Sequence, residues 1–251
     1  MKYEKQDRHA INGLSREARA SFEILEAFEK GEFLGLPELC SALAAGTMTL
    51  VAFSCISGSA EGQEIDQDMG TLFKKRREKE MEVLLSALEA TGQKRHLLVI
   101  LDDCEPRRVW QWNISQDEVT NWCRMVIEDA ESQGRVPSGW EIKLWSDVEK
   151  SCAVAYDCIL EQIRTPPFAL LVHQHVEHMK RFPNKKLAGD VREAAVRRVA
   201  QYALQGIVLE EFIPSAILLQ SETPWSVKDP LYGALRTKPL PIVHPYPEER
   251  R

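Results

Sequence analysis

Short apolar runs rich in β-branched residues alternate with longer stretches of helical spacing along most of the chain. Thr47–Phe53 is such a run and reads as a buried strand. A loop of small residues, Ser54–Gly62, follows it, and helical spacing resumes from Leu72 to Ala90, where Thr91-Gly92 ends it. His96–Asp103 predicts a second strand that closes on two acids and a Cys-Glu-Pro loop. A helix is expected over 116–132, and Trp140–Trp145 alternates like a third strand. Ser146, with Glu149 three residues on, reads as the capping box of the next helix. Two more helices are predicted at 168–181 and 190–212, the second opening on the capping pattern Asp190-x-x-Glu193. Ser215–Gln220 predicts a fourth strand. Leu240–His244 predicts a fifth, placed at a sheet edge by Pro241.

Strands that alternate with helices of crossover length predict an α/β fold: a Rossmann-like, doubly wound parallel sheet flanked by helices. The whole of 1–251 reads as a single domain, with a helical or partly disordered lead-in over 1–45 that Gly31, Gly35 and Pro37 interrupt. Ligands of such sheets bind at the carboxyl ends of the strands, near the point where strand order reverses. The loops after Phe53, Leu101 and Gln220 are therefore the places to search.

Composition narrows the class. Of the 251 residues, 44% are hydrophobic, enough for a sizeable core, and no apolar run has the length of a bilayer span. The N-terminal segment is polar and lacks the apolar stretch of a signal peptide, so a cytoplasmic protein is expected. The six cysteines contain no Cys-x-x-Cys pair and read mostly as buried thiols. The net charge of −6 excludes a wholly basic surface but not a local basic patch. Residues 102–163 hold thirteen acids against six Lys or Arg, whereas 180–198 holds seven Lys or Arg against two acids. Lys74, Lys75, Arg76 and Arg77 form a second basic cluster. This asymmetry suggests a polyanion contact on one side, beside the plainer reading of solvated helix faces.

Several common signatures are missing. There is no Walker A sequence, no Gly-x-Gly-x-x-Gly after the first strand and no Gly-x-Ser-x-Gly elbow. His173, His175 and His178 are clustered, but on a helix 173 lies well around from 175, so no metal site and no cofactor are expected. Ser54, Ser57 and Ser59 stand where a strand delivers its carboxyl end, in a glycine-containing turn that can expose a nucleophilic hydroxyl or simply be a turn.

The order of these elements resembles the cyclodipeptide synthases, a family that shares its fold with the catalytic domain of class I aminoacyl-tRNA synthetases. Cys55-Ile-Ser-Gly58 is similar to the family's Gly-Ile-Ser, which carries the catalytic serine. Lys74–Arg77 resembles its basic helix, and Leu97–Asp103 and Ile142–Trp145 resemble strands ending in an acid and a tryptophan. Gln201-Tyr202 resembles the late helix that carries a tyrosine and, four residues on, a glutamate, and Ile242–His244 resembles the closing strand. The likeness spans roughly 47–246. Cys55 stands in place of the family glycine, position 206 is Gly in place of the glutamate, and the nearest acids, Glu210 and Glu211, lie two helical turns from Tyr202. In these departures the chain looks more like the divergent arginine-containing cyclodipeptide synthases of fungi.

The resemblance implies a tRNA-dependent synthase that joins two aminoacyl groups, one of them perhaps arginyl, into a diketopiperazine without ATP. It implies Ser57, or Ser54, as the nucleophile, Tyr202 as a proton relay, and Glu210 or Glu211 as the anchor of the substrate ammonium. Asp102, Asp103 and Glu222 become candidates for substrate binding. Lys74–Arg77, Lys185, Lys186, Arg192, Arg197 and Arg198 become candidates for tRNA phosphates. Aminoacyl-tRNAs are the expected partners, with no membrane and no obligate protein partner. Two other classes fit the residues: a Rossmann-like enzyme acting on a small nucleotide or activated ester, and a non-catalytic RNA-binding protein.

Overall fold

Strands with apolar side chains on both faces must be covered on both faces, and here the chain does so with helices. The structure, a computed structural model, describes residues 33–34, 49–55, 85, 89, 92, 96–136, 138–181, 187–219, 229–238 and 240–243. Its six strands are β1 (Phe33–Leu34), β2 (Thr49–Cys55), β3 (Leu97–Asp102), β4 (Trp140–Leu144), β5 (Ala216–Leu219) and β6 (Ile242–Val243). They form one sheet in the order β1-β6-β5-β2-β3-β4. β1 pairs antiparallel with β6, and all the other pairs are parallel. From the central β2 the chain steps outward through β3 and β4, then crosses back to β5 and β6. The strand order thus reverses between β2 and β5, and the expected Rossmann-like parallel sheet is what forms.

The described helices are α1 (Glu105–Arg108), α2 (Gln116–Ser132), α3 (Trp145–Glu149), α4 (Tyr156–Ile163), α5 (Ala169–Arg181), α6 (Val191–Phe212) and α7 (Asp229–Gly233), with a 3₁₀ turn at Pro166–Phe168. α2 starts on a full capping box, in which Ser115 and Glu118 each accept the other's backbone N–H. No helix among the described residues is long and apolar enough to cross a membrane. Cys104 and Cys123 are buried, Cys152 is half-buried and Cys158 is exposed.

Several expectations change. Phe33–Leu34, inside the supposed helical lead-in, is a strand and takes the sheet edge. β6 therefore lies inside that edge. Pro241 precedes the strand, and its carbonyl accepts the Leu218 N–H, so its missing donor costs no ladder bond. Ser54 is not in a loop: β2 runs on to Cys55, with Ser54 in register with Leu101. Ser146 does not cap α3. It sits within the first turn, and its backbone N–H donates to the Asp103 carboxylate at 2.9 Å. At α6 only half the predicted box forms. Asp190 accepts the Glu193 N–H at 2.7 Å, while the Glu193 carboxylate turns to Arg164 and Arg197. Of the helix expected over 72–90 most lies outside the described residues. Leu85 and Glu89 are helical, and Gly92, at φ 72°, donates its N–H to the Glu89 carbonyl.

α6 is the axis of the helical layer. It packs on α1, α4, α5 and α7, and every residue from Arg198 to Gly206 is buried. Small residues make that enclosure possible, Gly206 most of all. A Cβ added there would lie 1.9 Å from the carbonyl oxygen of Tyr232 in α7. Backbone cannot yield as a flexible side chain would. Gly206→Ala is therefore expected to destabilise the fold by about 2 kcal/mol or more. Urea unfolding of the variant would check this, and an unchanged midpoint would contradict the packing described.

Candidate functional site

The last side chain of β3 organises the carboxyl edge. Asp102 is buried, and four internal donors meet its carboxylate. Oδ1 accepts the backbone N–H groups of Cys104 and Glu105, both at 3.1 Å, which folds the strand end directly into α1. Oδ2 accepts Nε2 of Gln201 at 2.9 Å and Nε2 of Gln205 at 2.8 Å, both from α6. Spaced four apart, the two amides lie on one face of the helix. The Gln201 carbonyl in turn accepts from Arg108 at 3.3 Å, and Arg108 also donates to Glu149 at 2.7 Å and lies 4.4 Å above the Tyr156 ring.

An aromatic file runs beside this polar group. Phe53 of β2 packs edge-on against Trp145 and stacks on Tyr232, both at 5.9 Å. Tyr232 meets Tyr202 edge-on at 4.8 Å. Arg198 lies over the rings of Trp110 and Tyr202, at 5.0 and 5.6 Å, and donates to the Tyr202 hydroxyl at 3.5 Å.

Strand alternation sorts the sequence candidates by face. Asp102, through its α6 partners, and Phe53, through Tyr232 and Tyr202, stand on the α6 side. Ser54, one residue after Phe53, points to the opposite side and is buried. Asp103 also faces away. It accepts from Thr120 at 2.6 Å, from Gln116 and from the Ser146 N–H, and so ties α2 and α3 to the strand end. The structure therefore brings Asp102 and Tyr202 to the α6 face of the carboxyl edge and leaves Ser54 and Asp103 on its opposite face.

Glu210 and Glu211 are not at this edge either. They lie near the carboxyl end of α6, which leads into the start of β5 beside Thr49 at the opposite end of the sheet. Glu210 accepts from the N–H and hydroxyl of Thr237, and Glu211 accepts from the Cys152 thiol at 3.5 Å. Of the basic candidates, Arg192 is exposed and borders a groove of about 600 Å³ between α4, α5 and α6, together with His173 and Lys180. Arg197 is ion-paired with Glu193 at 2.7 Å. Arg198 is buried against Trp110 and Tyr202, so it is corrected from a phosphate contact to a member of the internal site. Ser57, Lys74, Lys75, Arg76, Arg77, Lys185, Lys186 and Glu222 lie outside the described residues. Among those described, no group of three or more His, Cys, Asp or Glu is placed to hold a metal; His175 is buried, with its ring 5.9 Å from that of His178.

The sequence reading passed over Glu105, Arg108, Gln205 and Tyr232. One signal for Gln205 was available. Gln201 and Gln205 interrupt an apolar run at i and i+4, and amides buried on one helix face call for a buried polar partner.

No protein-family model matches the chain, and no curated protein does. Solved structures are similar at low identity. A tryptophanyl-tRNA synthetase from Trypanosoma brucei is 15% identical at a TM-score of 0.47, over 84% of this chain and 59% of that one, so this chain spans under two thirds of its length. A cyclodipeptide synthase from Fluoribacter dumoffii is 13% identical at a TM-score of 0.47, over 86% of this chain and 96% of that one. A cyclodipeptide synthase from Candidatus Glomeribacter gigasporarum, bound to Phe-tRNAPhe, is 14% identical at a TM-score of 0.44, over 81% of this chain and 89% of that one.

Burial pushes Asp102 up from its ordinary 3.8 to about 8; the Glu105 and Asp103 carboxylates add to the shift, while Gln201 and Arg108 oppose it. The folded protein then binds a proton that the unfolded chain has released. Stability contributed by this group falls as pH rises from about 4 to about 8 and is flat above. Asp102→Asn keeps the shape and removes the titration. Thermal unfolding from pH 5 to 9 should show a downward slope in the parent that is flattened in the variant. Equal slopes would contradict the assignment.

Proposed function

We propose that this chain is a tRNA-dependent aminoacyl transferase of the cyclodipeptide synthase type. The observation that carries the reading is the buried polar and aromatic group at the carboxyl edge, on the α6 side of the sheet, with Tyr202 at its centre. The central strand β2 ends beside it and continues into the segment that bears Ser57. The order of sequence motifs supports the same reading.

In this reading the Ser57 hydroxyl attacks the ester carbonyl of the first aminoacyl-tRNA. The bond from the carbonyl carbon to the ribose oxygen breaks, the serine proton passes to that oxygen, and an aminoacyl-serine ester remains. The α-amine of that ester attacks the second aminoacyl-tRNA, releasing its tRNA and leaving a dipeptidyl-serine. The free amine of the dipeptide then attacks the serine ester, closing a diketopiperazine and returning the proton to Ser57. Tyr202, held by Arg198, relays protons in the amide-forming steps. Each substrate arrives as an activated ester, so ATP has no part. Lys74–Arg77 and Arg192 are the proposed contacts to the tRNA backbone. Ser54 and Asp103 take no part, because they face the other side of the sheet. Glu210 and Glu211 take none, because they sit at its other end.

Incubation with radiolabelled aminoacyl-tRNA followed by acid precipitation should leave label on the protein, and extracts of expressing cells should contain a cyclic dipeptide. Ser57→Ala should abolish both while keeping tRNA binding and the unfolding temperature close to the parent's. Tyr202→Phe should keep the label and slow cyclic-dipeptide formation by roughly a hundredfold or more. Absence of label and of cyclic dipeptide in the parent protein would overturn the reading and leave an enzyme of small nucleotides or activated esters in front. Separately, tRNA affinity should fall steeply with salt, and replacing Lys74–Arg77 by Ala should weaken it and flatten the salt slope. An unchanged slope would show those residues to be a solvated face.

A further inference from the structure

Glu105 follows Asp102 across the turn into α1 and is 1% exposed, yet no hydrogen-bond donor meets either of its carboxylate oxygens. A buried carboxylate without a partner is among the costliest groups a fold can hold, and one retained beside a candidate site calls for a ligand. The nearby cation cannot serve it. Arg108 is already spent on Glu149, on Gln201 and on the Tyr156 ring. A second acceptor is left over on another neighbour of Asp102. Gln205 is 2% exposed, gives its amide N–H to Asp102, and has no donor on its own carbonyl Oε1. Both groups border Asp102, Glu105 through the charge it exerts there and Gln205 by direct contact. Asp102 itself has its oxygens filled by four donors.

We propose that the Glu105 carboxylate and the Gln205 side-chain carbonyl form the receptor for an organic cation, the ammonium or guanidinium of an aminoacyl substrate. The proposal rests on the reading of this edge as an aminoacyl site and supplies the anchor that Glu210 and Glu211 are too distant to provide. Two acceptors with no internal donor suit a ligand that brings at least two N–H groups and one positive charge. Burial and the neighbouring Glu105 both raise Asp102, which disfavours two negative charges facing a single cation. A neutral ligand would leave Glu105 as it is now, buried and unmatched.

The test is calorimetric binding to the full chain with three probes. Leucinamide carries only an α-ammonium, n-butylguanidinium carries only a guanidinium, and N-acetylleucinamide carries no charge. At least one of the two cations should bind the parent more tightly than the neutral amide, and Glu105→Gln should weaken that cation by about thirtyfold or more. Loss confined to leucinamide assigns the receptor to the α-ammonium, and loss confined to n-butylguanidinium assigns it to a side chain. Glu105→Gln keeps the shape and removes an unmatched acid, so its unfolding temperature should hold or rise. If that variant fails to fold, Gln205→Met is expected to weaken the same cation. Binding of both cations to Glu105→Gln as tightly as to the parent, or of neither to the parent, overturns the proposal. Product formation by the same variant separates the receptor from the synthase activity. Cyclic dipeptide made by Glu105→Gln at the parent's KM sinks the receptor and spares the reading. Cation binding that needs Glu105, in a protein that takes no label from aminoacyl-tRNA, does the reverse.

Discussion

The contact on which the carboxyl edge depends is the one between Asp102 and the two amides of α6. A carboxyl group at the end of a fully buried strand has no water to solvate it, and Gln201 and Gln205 take the place of that water. The amides have the same problem inside a helix enclosed on all sides, and Asp102 solves it for them. Neither side of the contact is tolerable alone. Together they fix the height and rotation of α6 against the sheet. Tyr202, one residue beyond Gln201, is thereby held at the end of β2, and Arg108 and Glu149 are drawn in through the remaining oxygen of Gln201.

Close approach around α6 completes the arrangement. Gly206 lets the Tyr232 carbonyl come within a distance that no side chain permits, and this brings the Tyr232 ring between Tyr202 and Phe53. Any side chain at position 206 would collide with α7, and the space beside it is filled by the second tyrosine instead.

Much of the architecture was legible because it rests on local patterning. Apolar runs at Leu97–Asp102 and Ala216–Leu219 and the long period over Val191–Phe212 specify elements whose burial leaves few alternatives. What could not be read depends on partners distant in sequence. Phe33–Leu34 is a strand because Ile242–Val243 offers an edge to pair with, more than two hundred residues on. Ser146 has every mark of a helix cap, yet Asp103 does the capping from the turn after β3. In the site, Tyr202 and Asp102 were named from position, but their grouping with Glu105 and Gln205 follows from which way strand ends turn. The same geometry sets Ser54 on the opposite face, since alternation along β2 sends neighbouring side chains to opposite sides. Glu210 and Glu211 stand apart from the group because two helical turns carry them along α6 toward the start of β5.

In the proposed reaction a hydroxyl just beyond β2 carries the acyl group. Mass spectrometry of proteolytic fragments after a brief incubation with aminoacyl-tRNA tests this most directly. The expected result is an aminoacyl or dipeptidyl mass increment on the fragment that contains Ser57. An increment on any other residue, or none while the tRNA is being deacylated, would contradict it.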